Sequence, residues 1–222
     1  MVEKSRINKS ISILWKGLLT GLILQFSIGP VFLLLLNITI SNGFIFGLAG
    51  IVAATIVDYL FITAAILGLG RLLNTKRGQL VLGTIGSAIL IIFGIYFFVG
   101  TMNTPLSEDQ NLMKMTSLIQ PFITTFVLTI SSPLTIVFWT AVFATKAVEL
   151  QLSKNELVVF GIGAGGATFL FLSIVLFFLG QFIPMGIVPF LNIGVSLLLI
   201  FYGLSRLYKI IKNYIVTNKK GE

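Results

Sequence analysis

The chain has 222 residues, 56% of them hydrophobic and 10% charged, with a mean hydropathy of +1.05 and a net charge of +8. A soluble domain carries about 25% charged residues, so this composition excludes a wetted globular surface over most of the chain. There is no Cys and no His, which excludes disulfides, thiolate nucleophiles, Cys/His metal clusters and a histidine proton relay.

Six apolar stretches follow in chain order, at 14–36, 43–70, 80–101, 121–143, 157–179 and 188–208. Each is near the ~20 residues needed to cross a bilayer. The pattern predicts an all-α integral membrane protein whose single transmembrane domain occupies residues 1–222. The first stretch follows Lys4, Arg6, Lys9 and Lys16, as a signal peptide would, but it is too long for a signal core and no A-x-A site follows, so it is expected to remain as a helix. Pro121 and Pro189 stand where helix starts tolerate proline. The one sizeable polar link is 102–120, and 37–42 is expected to be a short one. The basic segment 206–216 fits either an interfacial helix on anionic lipid or a solvated helix end.

The basic residues lie in the links, so they report membrane orientation rather than nucleic-acid binding. With both termini in the cytoplasm, fourteen of the fifteen fall on the cytoplasmic side, and only Lys114 does not. That is the positive-inside pattern, and it supports an even number of spans, because an odd number would spoil the alternation. Trp15 and Trp139 are then expected near the cytoplasmic interface, where indole rings are favoured.

Of the six prolines, only Pro30 and Pro133 fall deep inside spans, the first and the fourth. Each follows small polar residues, in Ser27-Ile28-Gly29-Pro30 and Ser131-Ser132-Pro133. Three spans per half is an odd number, so the second half crosses the opposite way, which is the arithmetic of an inverted repeat. Proline lacks an N–H and clashes with the carbonyl four residues back, here Phe26 and Thr129. A simple packing kink is one reading of such residues. The other is a broken helix whose freed carbonyls and positive half-helix end line a wet cavity. Gln25, Ser27, Gly29, Pro30, Ser131, Ser132 and Pro133 are the candidate binding groups on this second reading, with Thr135 and Tyr96 behind them.

Asp58 is the one acidic residue inside a span; the other six lie in tails or links. A charge at mid-bilayer costs roughly 2.5–3.5 kcal/mol on insertion scales, so such a residue faces a bundle interior or a cavity. Gly47, Gly50, Ala54 and Asp58 follow helical steps and share a face suited to close packing. Asp58 is thus either a protonated packing residue or a site for an ammonium, a cation or a proton. Gly161-x-x-x-Gly165 in the fifth span reads as packing.

At these places the sequence resembles the LysE (LysE/RhtB-type) family of amino-acid exporters. The stretch Gly21 to Pro30 matches a segment where the family has Pro-Gly-Pro, with Ile28 in place of the first proline. The stretch Gly50 to Asp58 matches its glycine-rich second span ending in an acidic residue, here preceded by Val57. Ser131 through Trp139 matches its Asn-Pro-Lys segment, with Ser132 for Asn and Leu134 for Lys. The resemblance covers essentially the whole chain. It implies a bacterial cytoplasmic-membrane exporter of an amino acid or similar solute, driven by an ion or proton gradient, with no cofactor.

Two other functions stay open: a divalent-cation exporter of the same superfamily, poorly served by one acid and no His or Cys, and a non-transporting membrane scaffold. A homodimer is open alongside a monomer. No catalytic pair, nucleophile–base set or nucleotide loop is visible, so an enzyme is not expected. Reporters fused after Asn42, Asp109 and Met185 are expected to read extracytoplasmic, and those after Asn74, Leu152 and the C-terminus cytoplasmic. A cytoplasmic signal at Asp109 sinks both the six-span order and the repeat.

Overall fold

Hydrocarbon offers no hydrogen-bond partners, so an apolar chain immersed in it satisfies its backbone within itself, and the helix is the local way to do so. The computed structural model describes residues 2–25, 29–68, 76–102 and 115–218, and every regular element among them is helical. They are α1 (Val2–Gln25), α2 (Pro30–Asn42), α3 (Phe44–Ile66), α4 (Lys76–Met102), α5 (Ile119–Ile130), α6 (Pro133–Glu149), α7 (Lys154–Phe182) and α8 (Val188–Asn218), with a 3-10 turn at Met185–Ile187 before the last. Among the described residues, four stretches are long and apolar enough to cross a membrane: α3, 84–102 of α4, α7, and 188–212 of α8. By contrast α2 and α5, with 13 and 12 residues, reach only about 20 Å at 1.5 Å per residue.

The first and fourth expected spans are therefore each divided. Pro30 is the first residue of α2 and Pro133 the first of α6, positions where the missing N–H costs no intrahelical bond. Residues 37–42 are not a link. They are the last turns of α2, and Leu34 through Ser41 are all buried. Their polar side chains are taken up locally or by neighbours: Thr39 Oγ1 donates to the Leu35 carbonyl, and Asn37 bonds across to Asn192. Gly43, at φ 92°, turns the chain straight into α3. Pro121 and Pro189 fall in the first turns of α5 and α8. Residues 206–216 simply continue α8.

Glycine sets how closely the helices approach. A methyl group on Gly17 of α1 would strike the Phe160 carbonyl, one on Gly21 the Ala164 carbonyl, and one on Gly163 of α7 the Leu14 carbonyl. The contact advances by four residues on both helices together, so α1 and α7 run parallel with their backbones touching. Between α3 and α7 the order reverses. Gly161 faces Ile62 and Ile66, and Gly165 faces the Tyr59 ring, so this pair is antiparallel. The pair α4 and α8 is also antiparallel and reciprocal. A methyl on Gly94 would lie 2.9 Å from the Ser196 carbonyl and 2.6 Å from Ile200, and one on Gly203 would lie 3.0 Å from the Ser87 carbonyl and 2.6 Å from Ile91. The same spacing of 109 residues separates Ser87 from Ser196, Ile91 from Ile200 and Gly94 from Gly203.

Around these seams, α3 also packs on α2, α5 and α6, while α2 packs on α7 and α8. One apolar cluster gathers Val57, Phe61, Trp139, Phe143 and Phe160; a second gathers Leu34, Ile38, Leu90, Leu128 and Leu199.

Replacing glycine by alanine in a helix ordinarily stabilises by roughly 0.4–1 kcal/mol, because the unfolded chain loses freedom. Gly194, with nothing within 4 Å of its missing methyl, should follow that rule. Gly17→Ala and Gly163→Ala should reverse it and lower the melting temperature in detergent, by an overpacking cost of about 1–3 kcal/mol. Equal melting of all three variants would show that backbone contact does not limit the α1–α7 seam.

Candidate functional site

Asp58 lies two-thirds of the way along α3, on the face that also carries Gly47, Gly50 and Ala54. That face is buried: Gly47 meets Thr39 of α2, Gly50 meets Leu35 of α2 and Thr125 of α5, and Asp58 is 7% exposed. The expected small-residue face thus packs against two neighbouring helices and holds the carboxylate inside.

Each carboxylate oxygen accepts a hydrogen bond from another helix. The Trp139 indole N–H of α6 donates to Oδ1 at 3.1 Å, and the Thr168 hydroxyl of α7 donates to Oδ2 at 2.7 Å. Gln25, the last residue of α1, donates from its amide nitrogen to Thr168 Oγ1 at 2.7 Å. Four helices therefore meet at one carboxylate. Hydroxyl, amide and indole are compatible there because Thr168 donates once while accepting once, and an indole N–H can only donate. The ion pairs among the described residues, Lys9–Glu156 and Lys146–Glu149, involve neither Asp58 nor its partners. Beside Asp58, the Tyr59 hydroxyl donates to the Ile162 carbonyl at 2.9 Å, and its ring lies against Gly165.

Trp139 is enclosed within the bundle rather than turned outward. It is 2% exposed, stacked edge-on against Phe138 and Phe143, and its polar tip finds the carboxylate. Trp15 is exposed on α1. Gln25 takes part in the network as a side chain. Gly29 instead acts through its backbone, extended at φ −123°, with its carbonyl accepting from Leu33 N–H at the start of α2. Ser27 lies outside the described residues.

At the second break the bonds are local. Ser131 Oγ donates back to the Val127 carbonyl, and Thr135 Oγ1 donates to Ser132 Oγ at 3.1 Å. The Thr129 carbonyl, expected to be freed by Pro133, accepts from Ser132 N–H at 3.1 Å instead. The structure thus brings Asp58 and Gln25 together and leaves Ser131 and Ser132 as the residues between α5 and α6. Tyr96 is 72% exposed, on the outer side of α4.

Sequence reasoning did not single out Thr168, Asn37 or Asn192. Asn37 and Asn192 are buried and paired across α2 and α8. An asparagine inside an apolar run was the available signal for both. Thr168 carried none, since a helical threonine ordinarily bonds its own backbone. The groove of about 230 Å³ between α3 and α7 is lined by Tyr59, Ile62 and Gly161 among others, and by none of the residues of the Asp58 network.

Thr168→Val removes one donor from Asp58 and the acceptor from Gln25 while keeping the shape. Leaving buried polar groups unsatisfied costs about 1–3 kcal/mol, so the variant should melt several degrees lower, and Thr168→Ser should restore most of the loss. Unchanged melting of Thr168→Val would mean that this bond contributes nothing to the folded state.

Comparison with curated proteins and with solved structures gives no match. The profile of the LysE type translocator family matches residues 22–210, which takes in Pro30, Pro133, Asp58, Trp139 and Thr168. Long apolar helices and a family of translocators agree on a multi-pass membrane protein of the transport class. The chain belongs to the LysE type translocator family.

Proposed function

We propose that this protein exports an amino acid or a similar small solute by alternating access around Asp58, in exchange for a proton or another cation. The observation that carries the reading is the attachment of one buried carboxylate to both divided spans: to α1 through Thr168 and Gln25, and to α6 through Trp139. A buried carboxylate without a basic partner is neutralised by a proton or by a bound cation. The ammonium of an amino acid is such a cation. Its arrival competes with the proton and displaces the donors that tie the two spans together. Pro30 and Pro133 keep α2 and α6 as separate helices, so each turns without unwinding a continuous one. Gly29, Ser131 and Ser132 supply backbone and hydroxyl groups at the breaks.

The architecture we infer is a single domain of six spans in two inverted three-span repeats, α1–α4 and α5–α8. The helix contacts support it. The pairing of α1 with α7 has its counterpart in α5 with α3, that of α2 with α7 in α6 with α3, and that of α2 with α8 in α6 with α4. The reciprocal glycine contacts of α4 and α8 keep one register between the halves. The parallel run of α1 and α7 fits spans one and five crossing in the same direction. With the basic residues inside, both termini face the cytoplasm of a bacterial cell and α2 lies toward the outside.

Asp58→Asn keeps the size and still accepts from Trp139, while Thr168 accepts from its amide. It should insert, melt within a few degrees of the unaltered protein, and fail at net export in vesicles. Amino acids that raise the melting temperature of the unaltered protein should lose that effect, because a ligand of the folded state stabilises it only where it binds. Asp58→Glu should keep part of the activity. Normal export by Asp58→Asn of a solute that the unaltered protein exports would make the acid structural.

A further inference from the structure

The half of the first divided span that follows the break has a seat of unusual construction. Thr39 of α2 sits between two glycines: a methyl on Gly47 of α3 would strike its hydroxyl, and one on Gly180 of α7 would lie 2.7 Å from its methyl. Leu35 likewise fills the place of a side chain at Gly50. The groove that receives α2 thus has glycines in its floor, and beside them Leu35, Leu36 and Ile40 pack against Ile51, Leu172 and Leu176. It lies on the α3 N-terminal side of Asp58, with Gly47 eleven residues from the carboxylate, about 16 Å along the helix.

One buried polar bond crosses from α2 to α8. The Asn37 side-chain amide donates to the Asn192 side-chain oxygen, and Ser41 donates to Asn37 Oδ1 at 3.4 Å. Both asparagines are almost wholly buried, beside a cluster of Leu34, Ile38, Leu90, Leu128, Val195 and Leu199. A leucine pair would seal this place at least as firmly, because an amide pair gives up hydration to form its bond. The amides differ from leucines in the parted state, where each recovers hydrogen bonds from water instead of exposing apolar surface. Such a pair fixes one register when closed and lowers the cost of opening. At its far end α2 is held by a second tie, Met115 N–H donating to Asn42 Oδ1 at 2.8 Å.

We propose that α2 is a movable gate on the extracytoplasmic side of the Asp58 site, seated in a glycine-floored groove and latched by the Asn37–Asn192 amide pair. The purpose rests on the exporter reading above; the latch itself does not.

The chain has no cysteine, so Ile38→Cys places a sole thiol on the fully buried face of α2. In proteoliposomes a membrane-impermeant maleimide should label it slowly. Adding Asn37→Ala or Asn192→Ala should speed labelling about fivefold, the shift of a closed–open equilibrium that one net hydrogen bond produces. Gly180→Val, which pushes on Thr39 instead, should speed it as well. Alanine variants that are monodisperse, melt cooperatively and label at the original rate overturn the proposal. Should those variants not fold, Asn37→Cys with Asn192→Cys replaces them. Oxidised in the membrane, the pair should cross-link and slow hydrogen exchange over residues 30–42, and reduction should release it; absence of the cross-link, or no change on reduction, overturns the latch. Labelling that responds in a protein that exports no amino acid leaves the gate and removes the exporter reading. Export with unresponsive labelling does the reverse.

Discussion

A carboxylate inside an apolar helix bundle has to be given hydrogen-bond donors, and the position of Asp58 organises the molecule around that need. The donors cannot come from its own helix, whose N–H groups are engaged in the ladder. They come from Trp139 on α6 and Thr168 on α7, with Gln25 of α1 behind Thr168. To bring these side chains within reach, α3 has to lie against α6 and α7 while α1 lies against α7. The glycines are placed accordingly: Gly161 and Gly165 let α3 down onto α7, and Gly17, Gly21 and Gly163 let α1 do the same. Substituting bulk at those seams would separate the donors from the acid as well as loosen the packing.

The two divided spans play unequal parts in this arrangement. α1 ends in a residue of the network, whereas α5 is followed by Ser131, whose hydroxyl turns back onto that helix. Beyond the breaks, α2 enters a groove of small residues through Leu35 and Thr39, whereas α6 meets its neighbours through large rings, Trp139 and Phe143 against Phe160. The repeat we propose is thus symmetric in which helices meet and asymmetric in how they meet. One side is sealed by aliphatic packing, glycine contacts and amides, the other by aromatic rings.

Much of this could be read from the residues. Apolar runs of spanning length, prolines preceded by small polar residues, and one acid on a glycine face were all visible as residues, and the structure folds the runs as helices, starts a helix at each of the two prolines and buries the acid. What was not legible depended on partners far away in sequence. Asn37, Thr39, Ser41 and Asn42 read as a polar link because their composition says nothing about Asn192, which receives Asn37, or Gly180, which makes room for Thr39. Trp139 read as an indole chosen for its depth, and its bond to a carboxylate eighty-one residues earlier could not be seen from its own surroundings in the sequence. Thr129, expected to present a free carbonyl, found an N–H within its own turn at Ser132, which no rule about proline alone anticipates.

The backbone contacts along two seams also decide what can slide. Where a glycine on each helix faces a carbonyl of the other, as in α4 with α8, a shift of one residue along the axis would put a side chain where only a hydrogen fits. The same holds for α1 against α7. These pairs behave as two rigid ribs, each unable to change register without coming apart. A rearrangement of these four helices then amounts to pivoting whole ribs about one another rather than a piston stroke of one of the four.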